Sequence, residues 1–367
     1  MNATAIILFS FISCFLLVLQ KSNNYNNLNK LLYIFSSIIF AYFIGIRTSD
    51  VPDTEAYILF YNETNPFSLS DFNNSSFEIG FQVLTKILKI LTGGNVSYYF
   101  MSVCLINFTL LNFTLKNFTN NKGSFIIIGL NLYIAFFGLF YNGIVMRQGL
   151  ALSFICYAVS LIYLSNETNS KVEKMKVVIC LVLAFFMHLS SIIGIVVWFL
   201  FKNMKGKSNK YYTIILVLSV LIYFSKLGLI FLSIFTAFLD FLFSFFHGTQ
   251  FAKYLFYQAL LEDITFEVSF KILFFYFVAL LILLIHFKDN LLKQNILFRI
   301  YMIGVILVSI FGFIGQISRI LDYFLIFSVF VLYKEFLRIE KFDSRLLFLV
   351  LVLGAQLFFV FRIINGV

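Results

Sequence analysis

Three arginines, Arg47, Arg147 and Arg319, each lie at the end of a separate long apolar run of the sequence. A guanidinium group stays charged when it is partly desolvated, and its planar fork of donors matches the oxygens of a phosphate group. Most of the lysines, by contrast, lie in short loops between apolar runs. The pattern favours a convergent cluster of arginines that binds a pyrophosphate. The alternative is that each arginine reaches lipid headgroups or pairs with a nearby acid.

Acids and one histidine accompany these arginines and could supply a catalytic base. Asp53 follows Arg47, Asp322 lies one turn after Arg319, and His188 lies within an apolar run. Because Asp322 and Arg319 share one side of a helix, an ion pair between them is the alternative role of this acid. A lone histidine in an apolar run is more often a core residue than a catalyst. All three stay candidates for the base.

Motifs for binding ATP or nicotinamide, for zinc and for serine hydrolysis are missing from the sequence. Its four cysteines lie in apolar runs without CxxC or Cys/His spacing, which argues against a metal site and a disulfide framework. We therefore predict no cofactor and no metal. The net charge of +10 arises from loops that orient a membrane protein, so we predict no nucleic-acid partner. Tyr57 and Tyr323 suit either a belt at the membrane interface or platforms for stacking sugars.

The elements that must position these residues are transmembrane helices. Of the 367 residues, 61% are hydrophobic and 12% are charged, which leaves too little polar surface for a soluble protein. We predict an all-α, polytopic integral membrane protein with about ten full transmembrane helices plus a helical hairpin, in a single transmembrane domain over residues 1–367. The predicted spans lie near 3–20, 29–46, 97–115, 124–141, 145–164, 211–230, 267–287, 298–315, 319–335 and 346–363.

The predicted hairpin occupies residues 177–200, an apolar run with lysines on both flanks. Basic loops stay on the cytoplasmic side of a membrane, so both flanks favour the same side. A hairpin that turns back at His188-Leu189-Ser190-Ser191 satisfies both flanks, and its polar apex requires a cavity within the protein. The alternative is one straight helix.

The same charge rule places two long polar segments, about 47–96 and 231–266, on the periplasmic side. We expect the active surface there. The first segment contains a predicted short helix over 77–91, and the second contains an aromatic amphipathic stretch around 231–246. Both are able to lie along the membrane plane.

Five groups of residues follow one another along the chain in an order that resembles a known family. They are Arg47 with Asp53 and Tyr57, Glu78-Ile79-Gly80-Phe81, Met146-Arg147-Gln148-Gly149-Leu150-Ala151, His188-Leu189-Ser190-Ser191 and Arg319-Ile320-Leu321-Asp322-Tyr323. In these groups the chain resembles the EpsG and Wzy group of bacterial polysaccharide polymerases over most of its length. That family commonly has a glycine just before the first acid, which this chain lacks, so either Asp50 or Asp53 could correspond to the family's acid.

The resemblance implies a fold similar to multi-span lipid-dependent glycosyltransferases, and an enzyme of the bacterial inner membrane. Such a polymerase joins repeat units of O-antigen, capsule or exopolysaccharide at the periplasmic face. Its substrate would be an undecaprenyl-pyrophosphate-linked oligosaccharide. The lipid bilayer is a second partner, and a chain-length regulator is a further candidate partner.

Glycosyl transfer from a lipid pyrophosphate needs cations that stabilise the leaving group and a base for the acceptor hydroxyl. The roles implied are pyrophosphate binding by Arg47, Arg147 and Arg319, a base among Asp53, His188 and Asp322, and sugar contacts by Glu78, Tyr57 and Tyr323. Two other functions stay open. One is a flippase for the same lipid-linked sugar, and the other is a membrane acyltransferase that modifies the polysaccharide with His188 as base.

Overall fold

The computed structural model of the chain describes residues 26–68, 77–119, 126–168, 171–230, 269–287, 292, 295–313, 315–339 and 341–364. Within these ranges every regular element is a helix, which confirms the predicted all-α fold. The contacts group the chain into two compact units, residues 1–196 with 329–367 and residues 197–328. The single transmembrane domain stays a prediction.

The helices follow the apolar runs of the sequence. In chain order they are α1 (Asn26–Gly45), α2 (Thr54–Glu63), α3 (Ile79–Leu91), α4 (Val96–Phe118), α5 (Ile126–Tyr133), α6 (Leu139–Gly143), α7 (Met146–Thr168), α8 (Lys171–Met187), α9 (Ile193–Asn203), α10 (Asn209–Phe224), α11 (Phe270–Ile285), α12 (Ile296–Phe311), α13 (Gly315–Leu325), α14 (Phe327–Arg338) and α15 (Phe342–Ile364). A π-helical turn, Ile134–Gly138, joins α5 to α6, and a 3-10 turn, Leu189–Ile192, lies between α8 and α9.

The core of the first unit is the almost entirely buried stretch from α5 to α6. The helices α1, α4, α7 and α15 contact it. Several polar side chains inside this core bond to one another or to the backbone, since neither lipid nor an apolar interior offers them water. Asn107 Nδ2 donates a hydrogen bond of 2.9 Å to Asn142 Oδ1, and the Tyr33 hydroxyl donates one of 2.6 Å to the carbonyl oxygen of Phe108. These bonds link α4 to α6 and α1 to α4.

Three helices among the described residues are long and apolar enough to cross a membrane, by length and composition: Val96–Phe118, Ile126–Gly143 and Met146–Leu164. All three lie in the first unit and match predicted spans. Shorter apolar helices lie at Asn29–Gly45, Leu189–Asn203, Asn209–Phe224, Phe270–Ile285 and Ile296–Phe311. The chain is therefore an all-α protein with helices able to span a membrane. The total number of its spans stays a prediction.

Two predicted spans differ from the helices that the structure forms. The run 211–230 ends its first helix at Phe224, and Lys226 there adopts a left-handed backbone with φ 58°, a conformation that stops an α-helix. The run 319–335 is divided at Ile326 into α13 and α14, close to the boundary between the two units. The predicted span 3–20 and the segment 231–266 lie outside the described residues.

The chain reverses its direction after α8. The helices α7 and α8 are joined by a short connection and pack along their lengths, so they run antiparallel, and His188 comes to lie at the Arg147 end of α7. Gly194 then packs against Ile155, two turns further along α7. The helix break therefore lies at His188, where the sequence predicted the apex of a hairpin.

The second unit contains α10, α11, α12 and α13. Each of these helices contacts the next one along the chain, and α10 also contacts α12. One tyrosine links three of its helices. The Tyr276 hydroxyl on α11 lies 2.6 Å from Ser309 Oγ on α12 and donates a bond of 3.3 Å to the carbonyl oxygen of Ser219 on α10. The hydroxyl thereby fixes the mutual position of these helices inside the unit.

Candidate active site

Glu78 connects an arginine and a histidine of the first unit that are distant from it in sequence. Its Oε2 accepts a hydrogen bond of 2.5 Å from Arg147 Nη1, and its Oε1 lies 2.7 Å from His188 Nδ1. The backbone N–H of Leu189 also donates to Oε1, at 3.4 Å. The Glu78 carboxylate, just before α3, therefore contacts both the first turn of α7 and the break after α8.

Two glycines allow the backbones at this junction to approach closely. A Cβ on Gly80 would lie 2.6 Å from Phe186 Cβ and 2.8 Å from the Phe186 carbonyl oxygen. A Cβ on Gly149 would meet the carbonyl group of Tyr141 in the same way. Side chains at these two positions would separate α3 from α8 and α6 from α7. Glycine is therefore required for Glu78 to reach His188 and for Arg147 to hold its place.

Aromatic rings form one wall of the site. The Arg147 guanidinium lies over the ring of Phe77, with its Cζ 4.5 Å from the ring centroid, which is a favourable cation–π geometry. Phe77 stacks on Phe60 at 4.2 Å between centroids, and Tyr57 lies 5.7 Å from Phe77. The Tyr57 hydroxyl also interacts with Arg147. The wall restricts the positions that the guanidinium can adopt.

The charges of the site hold Glu78 in its ionised form. Burial by itself raises the pKa of the Glu78 carboxyl, but the hydrogen bond from His188 and the charge of Arg147 outweigh it and lower the pKa to about 2. An ionised carboxylate can only accept hydrogen bonds, so the bond to His188 requires a proton on Nδ1. The second ring nitrogen, Nε2, is then the acceptor of a neutral imidazole.

The site is accessible from outside the protein. The side chains of Arg147 and His188 are 25% and 26% exposed, whereas that of Glu78 is 13% exposed. The cationic and imidazole groups can therefore contact a ligand while the carboxylate stays behind them. Such a set can bind an anion and accept a proton beside it.

Arg47 lies in the interior of the first unit, 6% exposed. Its Nη1 donates hydrogen bonds to the carbonyl oxygens of Asn142, at 3.1 Å, and Gly143, at 2.5 Å, and its Cζ lies 3.7 Å from the centroid of the Phe100 ring. Burial lowers the pKa of the Arg47 guanidinium to about 10. Nη2 reaches Met146 Sδ at 3.5 Å. Arg47 thus holds the α6–α7 junction from which Arg147 projects.

Asp53 precedes α2 and is exposed. Its backbone has a φ of 61°, which is uncommon for a residue with a side chain but is adopted by aspartate more often than by most. Its charge acts on Arg47 and on Tyr57. Asp53 therefore lies near the site, and its role as a base stays a prediction.

The other predicted site residues belong to the second unit. Asp322, which is 1% exposed, forms an ion pair of 2.8 Å with Lys271 of α11. Tyr323 is fully buried, and Arg319 is partly exposed. Their roles in binding and catalysis stay predictions.

Sequence reasoning missed two residues that the structure brings to these groups, Phe77 under Arg147 and Lys271 beside Asp322. Lys271 had a usable signal, because a lone charge inside an apolar run needs a partner. Phe77 had none, since one more phenylalanine is inconspicuous among 52. Within the described residues, no group of three or more His, Cys, Asp or Glu side chains could hold a metal ion.

Comparison with known proteins gives one family. The EpsG family model matches residues 30–366. Neither the curated proteins nor the solved structures contain a match.

Proposed function

The chain belongs to the EpsG family of Wzy-type polysaccharide polymerases, and from that premise we propose that it polymerises oligosaccharide repeat units carried on undecaprenyl pyrophosphate. The observation that carries the proposal is the cluster of Glu78, Arg147 and His188. It combines a cation for a phosphate group with an oriented proton acceptor, on an accessible surface. We place the reaction at the periplasmic face of the bacterial inner membrane.

The proposed reaction is a glycosyl transfer. The oxygen of the acceptor hydroxyl forms a bond to the anomeric carbon of the donor sugar, and the bond from that carbon to the pyrophosphate oxygen breaks. The electron pair of the broken bond leaves with the undecaprenyl pyrophosphate, and the hydroxyl proton passes to a base. No nucleotide is needed, because the leaving pyrophosphate supplies the free energy.

His188 is the base in this proposal. Glu78 fixes the imidazole by accepting a hydrogen bond from Nδ1–H, with Oε1 2.7 Å from Nδ1, so that Nε2 can take the proton of the acceptor hydroxyl. Glu78 itself is a poor base because both of its oxygens are engaged and its pKa is about 2. The carboxylate predicted to contact sugar therefore becomes a positioning residue, and it also stabilises the imidazolium that forms.

Arg147 stabilises the negative charge that develops on the leaving pyrophosphate. Its Nη1 is engaged by Glu78, and the aromatic wall of Phe77 and Tyr57 holds the guanidinium plane. A fixed cation in a partly desolvated site stabilises such charge more strongly than water does. Phosphate binding by Arg319 and the roles of Asp53 and Asp322 as alternative bases stay predictions from the sequence.

The proposed membrane arrangement has about ten spans and a re-entrant hairpin at His188. It keeps the polyprenyl tail of the donor in the bilayer while the sugar chain extends into the periplasm. The bilayer and the lipid-linked oligosaccharide are the proposed partners, and a chain-length regulator is a candidate third.

The test is the length profile of surface polysaccharide from a deletion strain that carries the intact gene or a variant. Arg147→Ala and His188→Asn should each leave single repeat units, with a loss of about 10²-fold or more in polymerisation. His188→Asn keeps a donor for Glu78 but lacks Nε2. Arg338→Ala is the matched control, since it breaks another Arg–Glu pair of the first unit, at 2.8 Å from Glu335. It should restore long chains.

Three results would contradict the proposal. Long chains in the deletion strain would exclude polymerisation. Repeat units trapped on the cytoplasmic side would indicate a flippase, and normal chain length with altered ester content would indicate an acyltransferase. Equal amounts of each variant in the membrane fraction are the required control.

A further inference from the structure

The outer face of α3 is entirely apolar although the helix lies in a segment predicted to be periplasmic. The exposed side chains of α3 are those of Ile79, Val83, Ile87, Ile90 and Leu91, and they are 40% to 74% exposed. They recur at intervals of three and four residues and so form one continuous stripe. A helix that faced water would present polar groups there.

The polar side chains of α3 bond to other groups of the protein; those of Gln82, Thr85 and Lys86 are buried, and that of Lys89 is partly exposed. Lys89 Nζ donates hydrogen bonds to the carbonyl oxygens of Tyr61, at 2.6 Å, and Thr64, at 2.8 Å. Thr85 Oγ1 lies 3.1 Å from the Tyr99 hydroxyl, and Gln82 Nε2 donates to the Phe77 carbonyl oxygen at 2.5 Å. The usual distribution of a soluble amphipathic helix is therefore inverted.

The neighbouring helix α2 provides a contrast within the same segment. Its exposed surface includes Glu55, Asn62 and Glu63 beside Leu59. This mixture is typical of a helix in water. The inversion therefore belongs to α3 and is not a general property of the segment 47–96.

The apolar stripe of α3 continues onto the exposed apolar surface of the neighbouring helix, α8. Gly80 packs directly on Phe186 of α8, and α8 exposes an apolar surface that includes Val182, Phe185 and Phe186. We propose that α3 lies at the membrane boundary with its stripe in contact with the acyl chains of the bilayer. Lipid is the occupant that suits both surfaces, because it demands apolar groups outside and paired polar groups inside.

This position of α3 also determines how a donor could reach the candidate active site, and that part of the inference rests on the proposed function. Glu78 directly precedes Ile79, the first residue of the stripe. The site then opens where α3 and α8 meet the lipid, and a lipid-linked donor could reach Arg147 sideways from the bilayer without lifting its tail into water.

The lipid contact can be tested without reference to polymerase activity. The chain contains one tryptophan, so a Trp198→Phe background allows single tryptophans to be placed at will. Ile87→Trp tests the stripe, and Asn62→Trp on α2 is the matched control. Each full-length variant is reconstituted into vesicles of phosphatidylcholine with brominated acyl chains, and fluorescence is also measured with iodide in the water.

The Ile87→Trp variant should lose most of its fluorescence to the brominated chains, emit at shorter wavelength and resist iodide. The Asn62→Trp variant should show the reverse. Quenching of the Ile87→Trp variant by iodide alone would overturn the proposal in favour of a water-exposed stripe. Quenching by neither agent would also overturn it, because protein would then cover the stripe.

Discussion

Arg47 and Arg147 are the same kind of side chain in two different environments. Arg147 is a quarter exposed and pairs with a carboxylate, whereas Arg47 is buried against backbone carbonyl oxygens and an aromatic ring. A buried cation is costly unless its donors are satisfied. The planar guanidinium places two carbonyl oxygens on Nη1 and a ring against its face. These partners suit Arg47 as a support of the α6–α7 junction.

Replacing Arg47 by alanine should therefore reduce the stability of the protein. The carbonyl oxygens of Asn142 and Gly143 would lose their donor, and Phe100 would lose its cation. Loss of hydrogen bonds to a charged group costs about 2–3 kcal/mol. Thermal unfolding of the purified protein in detergent, without substrate, measures the change.

Arg345→Ala is the matched control for this measurement, because Arg345 has the same kinds of partner, the Ile339 carbonyl oxygen at 2.6 Å and the Phe336 ring at 5.8 Å, but is partly exposed. Its unfolding free energy should change by less than about 1.5 kcal/mol, because water can replace the lost partners. If Arg47→Ala instead keeps full stability but weakens binding of the lipid donor, Arg47 is a pyrophosphate ligand as the sequence predicted.

At the scale of elements, the contact between α3 and α8 sets the distance between Glu78 and His188. These residues stand next to the ends of their helices, and the contact at Gly80 lies between them. The Phe186 backbone cannot yield as a flexible side chain would. A small separation of the helices would therefore break the 2.7 Å contact between the carboxylate and the imidazole.

Gly80→Ala should lower polymerisation more than tenfold, since the added methyl group would lie 2.6 Å from Phe186 Cβ. Overpacking of this kind costs about 1–3 kcal/mol. Gly354→Ala is the matched control, because a Cβ at Gly354 of α15 meets no atom within 4 Å. Alanine there should be neutral or slightly stabilising. Equal activity of the two variants in the chain-length assay would show that the α3–α8 contact does not set the site.

Over the whole molecule, the sequence predicted elements better than it predicted their partners. The apolar runs predicted the helices of the first unit, because a backbone in lipid must satisfy its hydrogen bonds within its own segment. The lysines on both flanks of 177–200 predicted the break at His188. The partners of Glu78 are 69 and 110 residues away. Periodicity does not reveal which helices pack together, so it does not predict that Glu78 contacts Arg147 and His188. The division at Ile326 had no turn residue to indicate it.

The reversal at His188 makes a prediction about how the chain crosses the membrane. If α8 and α9 form a re-entrant hairpin, Lys174 before it and Lys205 after it lie on the same, cytoplasmic side. One straight helix would place them on opposite sides. Gly194 packs against Ile155 while His188 lies near Arg147, which favours the hairpin.

Single-cysteine variants labelled by a membrane-impermeant maleimide distinguish the two arrangements. In spheroplasts, Asn62→Cys on the exposed surface of α2 should react, whereas Lys174→Cys and Lys205→Cys should react only after the membrane is opened. Reaction of one lysine position but not the other in intact spheroplasts would establish the straight helix instead. The helix break would then lie within a full span, and His188 could reach a periplasmic substrate only through an aqueous cavity around it. The hairpin instead returns the chain to the side from which it came, with its polar turn held by Glu78.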